Sequence, residues 1–287
     1  MLIKAPLVSV IICTYNRDAY IARAVESALS QTYENVEVIV IDDGSVDNTK
    51  RVMNSYAKNK KVTYVFQENQ GVSIARNNAI QLARGEYIAI LDSDDFWCYK
   101  EKLSEQVDFL MKNPEYVLVG GGLIKLDIHG KEIVRYLPPE NDADIKRTIL
   151  VDNPFAHSTV MFKKGPCQAV GGYDETLRFS EDRDLWLKLG RVGKLHNLPK
   201  YMAYYLEGGQ NQFSLTIRRS VFLNIAMRKK YKNDYPHFKK AVLLCWLSYL
   251  SSFLPFRKKL WPVLFKLRVV IFGEPSYTYF ENYGNSK

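Results

Sequence analysis

The side chains best placed to do chemistry fall in three acidic clusters. Asp92-Ser93-Asp94-Asp95 puts three carboxylates within four residues, Asp42-Asp43-Gly44-Ser45 puts two before a glycine, and Glu181-Asp182 forms a further pair. Crowded carboxylates repel one another and repel any phosphorylated ligand. A hard divalent cation, Mg2+ or Mn2+, removes both conflicts by accepting one or two carboxylates together with phosphate oxygens. It also offsets the charge of a departing diphosphate. A carboxylate of the Asp42-Asp43 pair, at the end of a strand, can accept a hydrogen bond from a base N–H or a ribose hydroxyl. A carboxylate of the Glu181-Asp182 pair suits a base that takes the proton from an attacking hydroxyl. Each cluster has a plainer explanation too: an acidic surface turn at Asp92–Asp95, a helix N-cap at Asp42–Ser45 and a partner for a helix dipole at Glu181-Asp182.

Positioning these groups falls to the elements between them. Leu7–Cys13 (LVSVIIC) and Val36–Ile41 (VEVIVI) are unbroken, β-branched apolar runs, the pattern of strands buried on both faces. Between them Ile21, Ala24, Val25, Ala28 and Leu29 make a helical stripe. The alternation continues with a helix expected over Thr49–Lys58, a strand over Val62–Phe66, a helix over Ser73–Ala83 and a strand over Glu86–Leu91. This predicts an α/β fold with a doubly wound, mostly parallel central sheet. Ligands of such sheets lie beyond the carboxyl ends of the strands, where the second and fourth strands here run into their acidic turns.

After a helix over Lys100–Lys112 the pattern changes. A hairpin is expected from Leu123–Ile128 and Glu132–Tyr136, then a short strand over Ser158–Phe162 and a helix over Ser180–Leu189. The expected organisation is one domain over 1–217, with a nucleotide-binding half (1–112) and a smaller, mixed acceptor half (113–217). A basic, amphipathic helical tail follows over 218–287.

Composition fits a globular chain: 47% of the 287 residues are hydrophobic and 25% charged. The net charge of +9 is unevenly placed. Residues 218–287 hold 14 Lys and Arg against three acids, which leaves the first 217 residues at −2. A nucleic-acid footprint would not divide this way, so no nucleic-acid partner is expected. The tail interleaves Arg228-Lys229-Lys230, Lys239-Lys240 and Arg257-Lys258-Lys259 with leucine and aromatic residues. Its apolar run Ala241–Leu254 has 14 residues, short of the ~20 that cross a bilayer. Helices lying on an anionic membrane surface are expected; the alternative packs them on the main domain with solvated lysines. Cys13, Cys98, Cys167 and Cys245 lie far apart, and the four histidines show no zinc spacing. The expectation is free thiols in a reducing cytoplasm, and the N-terminus does not read as a signal peptide.

The motifs G-x-G-x-x-G, G-x-x-x-x-G-K-[ST] and G-x-S-x-G do not occur, which argues against dinucleotide dehydrogenases and phosphate-loop or nucleophile-elbow enzymes. Taken together, VSVIICTYNR (8–17), SALSQTYENVEVIVIDDGSVDNT (27–49), NQGVSIARNNAI (69–80), GEYIAILDSDD (85–95), HSTVMFKK (157–164), GGYDE (171–175) and SEDRDLWLKL (180–189) resemble inverting glycosyltransferase family 2, in its bacterial non-processive members. The resemblance covers roughly residues 7–215 and implies a GT-A type fold. It implies a nucleotide-diphosphate sugar, by resemblance a UDP-sugar, as donor, Mn2+ or Mg2+ as cofactor, and transfer of one sugar to a glycan or lipid-linked acceptor.

By the same resemblance Cys13 and Tyr15 line the base pocket, Asp43 contacts the base and Arg76 lies near the donor phosphates or base. Asp92 is the ribose- or metal-contacting first residue of D-x-D, Asp94 the metal ligand, and Asp95 the residue that orients the donor sugar. Asp182 is the catalytic base, supported by Glu181. The sequence departs from the family twice. It has no Q-x-x-R-W after the base, so single addition is expected rather than polymerisation. Its Tyr204–Asn211 stretch lacks the family's Y-R-x-H histidine, for which Gln210, Asn211 or Arg218 are the candidate substitutes. Two rival classes remain. A sugar-phosphate nucleotidyltransferase needs a G-x-G-x-R loop where Thr14-Tyr15-Asn16-Arg17 stands. A sugar-nucleotide-binding protein without transferase activity has no need of an intact Asp92, Asp94 and Asp182 set.

Overall fold

A computed structural model describes residues 5–206 and 217–253. The first four strands are β1 (Val8–Thr14), β2 (Val36–Asp43), β3 (Val62–Gln67) and β4 (Tyr87–Ile90). They pair in parallel in the order β3-β2-β1-β4. Helices α1 (Ile21–Leu29), α2 (Thr49–Asn54) and α3 (Val72–Leu82) form the crossovers.

Side chains of these strands alternate between two cores. Ile11, Ile39, Ile41, Ile88 and Ile90 face a cluster containing Ala75, Ala79 and Ile80 of α3. Val10, Ile12, Val38, Val40 and Ala89 face one containing Ile21, Ala24, Val25 and Ala28 of α1. Each fully buried Val or Ile is worth ~1.5–3 kcal/mol, so a register slip that exchanged the two faces would be strongly resisted.

Beyond β4 the sheet becomes mixed. Short β5 (Phe96–Trp97) is followed by α4 (Lys102–Lys112), β6 (Tyr116–Leu126), β7 (Glu132–Tyr136) and α5 (Asp142–Thr148). A 3-10 turn at His157–Thr159 leads into β8 (Met161–Lys163), then α6 (Lys164–Ala169), α7 (Glu181–Val192) and β9 (Lys194–Leu206). The order continues from β4 as β8-β6-β9-β5, with β7 also paired to β6. Among the described residues the sheet has nine strands. β8 runs antiparallel to both β4 and β6, whereas β9 runs parallel to β6.

The expected α/β architecture and the β6–β7 hairpin are present. The expected strand over Ser158–Phe162 begins instead as the 3-10 turn, and the helix expected to reach Lys58 stops at Asn54. Strand β9 and the first half of β6 were not anticipated.

Two helices lie beyond residue 216: α8 (Ile217–Lys230) and α9 (Phe238–Ser251). Met227 and the following Tyr231 and Tyr235 belong to the core on the α3 and α7 side of the sheet. Tyr231 donates to Asp184 at 2.7 Å, Tyr235 to the Leu187 carbonyl at 2.7 Å, and Arg228 to the Leu150 carbonyl at 2.6 Å. On α9, Leu243, Trp246, Leu247 and Leu250 are exposed. No described helix is long and apolar enough to cross a membrane. All four cysteines are unpaired. The basic stretch Arg257–Lys259 lies outside the described residues.

Candidate active site

Register brings the acidic turns to one rim. Thr14 at the end of β1 sits opposite Asp42 of β2, and β4 ends at Ile90 opposite Ile11, two residues before Asp92.

On the β2 side the carboxylates organise their own loops. Asp42 accepts from Tyr64 Oη at 2.6 Å and the Ser45 amide at 2.8 Å. Asp43 accepts from Gln67 Nε2 at 2.7 Å and from the amides of Gln70 and Gly71, both at 2.9 Å. Gly44 makes the turn possible: its φ is +85°, and a Cβ would meet the Asn69 amide nitrogen at 2.8 Å. The Asn16 amide donates to Ser45 Oγ at 2.8 Å and the Val46 amide to Asn16 Oδ1 at 2.9 Å, tying the β1 loop to the β2 loop. Tyr15 is exposed on this rim. Cys13 is partly buried beside it, and burial pushes its thiol up to about 12.

Arg76, projecting from α3, joins that side to the rest of the site. It is 7% exposed. Its Nη1 donates to Glu181 Oε1 at 2.6 Å and its Nη2 to Asp92 Oδ1 at 2.9 Å. The guanidinium lies 5.3 Å from the centre of the Tyr173 ring. Burial opposes its charge, and the carboxylates of Asp92 and Glu181 more than offset this. The same bridge brings the D-x-D turn and the start of α7, 105 residues from Arg76 in sequence, into one cleft.

Asp92 has a second close neighbour in His157, whose Nδ1 lies 2.9 Å from Oδ1 and 3.1 Å from Oδ2. The far ring nitrogen, Nε2, lies 3.0 Å from Tyr173 Oη. Burial alone would raise the Asp92 carboxyl, but His157 and Arg76 hold it well below the usual carboxylate range. The Asp92 amide donates to Ser158 Oγ at 3.2 Å, and the Ser158 hydroxyl donates to Asp95. Burial and the neighbouring Asp92 and Asp94 push the Asp95 carboxyl well up.

Asp94 is raised by burial and by Asp92. Its nearest cation is Arg17 Nε at 3.6 Å. Asp94, partly buried, and Asp95, buried, are both raised in this way, and such a pair would suit a divalent cation. Asp94 is the better ligand of the D-x-D pair, because Asp92 is already engaged by His157 and Arg76. Among the described residues no three His, Cys, Asp or Glu side chains form a ready metal cage.

Asp182 sits in the first turn of α7 with Glu181 and Asp184. Its Oδ2 accepts from Asn153 Nδ2 at 2.7 Å. Gln210 and Asn211 lie outside the described residues, as does the Arg218 side chain.

Arg76 thus joins Asp92 to Glu181 directly; Asp94 and Asp95 lie in the same turn as Asp92, Asp182 follows Glu181 in the first turn of α7, and Cys13, Tyr15 and Asp43 lie at or beside the ends of β1 and β2. Sequence reading missed His157, Ser158, Tyr173, Asn153 and Arg17. His157 and Ser158 stood within a stretch already singled out. Their partners, however, are more than 60 residues away, so no local spacing marks them.

Solved structures share this architecture. A mannosyltransferase from Pyrobaculum calidifontis, in complex with GDP-Man and Mn2+, superposes with a TM-score of 0.63 at 20% identity, over 96% of this chain and 78% of that one. S. aureus TarS (1–349) in complex with UDP-GlcNAc gives 0.61 at 21% identity, over 88% and 77%. These likenesses define the fold as GT-A.

Residues 9–164 match the profile of "Glycosyl transferase family 2", and the chain belongs to that family. EpsE of Bacillus subtilis, which carries a glycosyltransferase name, is 32% identical over 254 residues, covering 84% of this chain and 89% of its own. Chondroitin synthase of Escherichia coli is 34% identical over 209 residues, 72% of this chain and 30% of its own. An uncharacterized glycosyltransferase of Rickettsia prowazekii is 34% identical over 200 residues, and the match spans 62% of its length.

Proposed function

We propose that this chain transfers a single sugar from a nucleoside-diphosphate donor, a UDP-sugar, to a hydroxyl of a glycan or lipid-linked acceptor, with inversion, in surface-polysaccharide assembly. The observation that carries this reading is the Arg76 bridge from Asp92 to Glu181, which ties the carboxylate-rich turn to the first turn of α7, where the candidate base Asp182 is the next residue. Asp94 would hold Mn2+ or Mg2+ together with phosphate oxygens. When bound, the ion neutralises the diphosphate and its growing charge as the glycosidic bond breaks. Asp43, Cys13 and Tyr15 supply the rim for the base. Asp92, fixed by Arg76 and His157, faces the ribose, and Asp95 orients the donor sugar. Asp182, steadied by Asn153, takes the acceptor proton, and the freed oxygen attacks C1 from the side opposite the diphosphate. Glu181 holds Arg76 against Asp92. Single addition rests on the missing Q-x-x-R-W.

The relatives' names support the polysaccharide setting, in chondroitin synthase above all. The basic tail and the exposed leucines and tryptophan of α9 support contact with the inner face of the plasma membrane from the cytoplasm. The test is a thermal-shift screen of nucleotide sugars with Mn2+, followed by an assay of nucleotide release. A ligand present at 100 times its Kd stabilises the fold by ~2.7 kcal/mol. One UDP-sugar should raise Tm only with the metal and release UDP when an acceptor is added. A complete screen without any metal-dependent shift or nucleotide release would overturn the proposal.

A further inference from the structure

Lys102 opens α4 and is completely buried. Its Nζ donates to Gln106 Oε1 at 2.8 Å and lies 4.0 Å from the centre of the Trp97 ring. Burial pushes its amine well below the ordinary lysine value. A buried amine with no counter-ion is costly to the fold, and a methionine of similar length would fill the space at lower cost. What Lys102 contributes lies in what it orients.

With its oxygen taken by Lys102, the Gln106 amide must aim Nε2 the other way. It donates to the Thr159 carbonyl at 2.8 Å and to the Val119 carbonyl at 3.2 Å. Trp97 Nε1, on the ring that Lys102 covers, donates to the Ser158 carbonyl at 2.6 Å. Two successive carbonyls of the His157–Thr159 turn are therefore held from behind by one buried network. The front of the same turn holds the acidic loop: Ser158 Oγ contacts Asp95 and the Asp92 amide, and His157 contacts Asp92.

We propose that Lys102 is a positioning residue which, through Gln106 and Trp97, locks the His157–Thr159 turn and so fixes the D-x-D carboxylates in their metal- and diphosphate-binding geometry. The proposal rests on the nucleotide-sugar reading for its ligand, but not for its structural consequence. Buried polar networks of this kind specify geometry, and removing one member loosens the others.

The test uses the full chain carrying Lys102→Met, with three measurements. Hydrogen exchange, without ligand, should quicken at the amides of Asp92, Asp95, Thr159 and Val160 and stay unchanged in β2 and α1. Calorimetric affinity for UDP with Mn2+ should fall ~10–100-fold, the range for outer-shell partners of metal ligands, while affinity for UMP without metal is unchanged. Tm should be equal to or above that of the unaltered chain. Trp97→Phe keeps the ring, deletes the donor to Ser158 and should reproduce the exchange change even if Lys102→Met does not fold.

Unaltered exchange at the turn overturns the proposal, as does unaltered UDP affinity with Mn2+. Faster exchange everywhere with a lowered Tm would make Lys102 a general stabiliser and overturn it too. If the unaltered chain itself binds no UDP with Mn2+, the nucleotide-sugar reading fails, and hydrogen exchange still decides the role of Lys102.

Discussion

In the proposed mechanism Asp94 and Asp182 have different tasks, and their surroundings differ. Asp182 has a neutral partner, Asn153, within hydrogen-bond distance. Replacing Asp182 by Asn keeps the shape and removes the proton acceptor. Turnover should fall ~10²–10⁴-fold, while calorimetric donor affinity stays near that of the unaltered chain. Near-normal turnover would remove Asp182 from the base role.

Asp94 is crowded, its carboxyl raised by burial and by Asp92. A raised carboxyl is a cost to the folded state above its folded pKa, relieved as pH falls through that value toward the unfolded one near ~4. Asp94→Asn should therefore raise Tm in EDTA at pH 7, with the gain shrinking as the buffer is acidified. The same variant should lose Mn2+-dependent binding of UDP. A lower Tm in EDTA, or unchanged metal-dependent binding, would contradict the assignment. Stability is given up here for a binding site, a trade common at functional positions.

Elements explain why some of this was legible and some was not. β1, β2 and β4 are buried on both faces, so their apolar runs announce strands and the acids that follow announce the rim. α7 was legible from its apolar stripe and its acidic first turn. β9 was not. Its sequence KLHNLPKYMAYYL carries Pro199 and Lys200 mid-strand, and the register with β6 skips from Leu198 to Tyr201 at that point. Proline cannot donate to a ladder and is tolerated where the strand is irregular, so the local signal breaks although the strand continues. Ser158 and Thr159 were read as the start of a strand because they run into the apolar Val160–Phe162, yet the conformation of their turn is set by contacts with distant Asp92, Asp95 and Gln106.

Gly44 offers a test at this scale. Gly44→Ala forces a side chain into the left-handed region and against the Asn69 backbone, a strain of ~1–3 kcal/mol. Urea denaturation should show a loss of that size. Nucleotide affinity should fall with it, because Asp43 directly precedes Gly44 and two of its donors, the amides of Gln70 and Gly71, directly follow the Asn69 that a new Cβ would strike. An alanine variant as stable as the original would show that the loop relaxes freely.

For the molecule as a whole, charge and packing divide the last third of the chain. α8 and the two tyrosines after it are fastened to the core, as is Ala241 near the start of α9, whereas Phe222 and Leu223 of α8 and Leu243, Trp246, Leu247 and Leu250 of α9 stay exposed. Composition alone made the basic tail legible, but which part would dock on the core and which would stay exposed depended on contacts with α7 and Leu150. Vesicles containing anionic lipid should carry the full chain upward in flotation, less so in high salt. Leu243→Glu with Leu247→Glu should leave it at the bottom. Equal flotation of both chains would remove membrane contact through α9.

The strand order carries a consequence for synthesis. β4 lies at the boundary of the parallel block, and its outer neighbour β8 lies some 70 residues later in the chain. While the ribosome is still making that interval, β4 is an unsatisfied edge, and Arg76 has Asp92 but not yet Glu181. Open edges of this sort invite pairing with other nascent chains. A product truncated after α4 should therefore aggregate rather than fold on its own, so the parallel block would depend on strands that leave the ribosome much later.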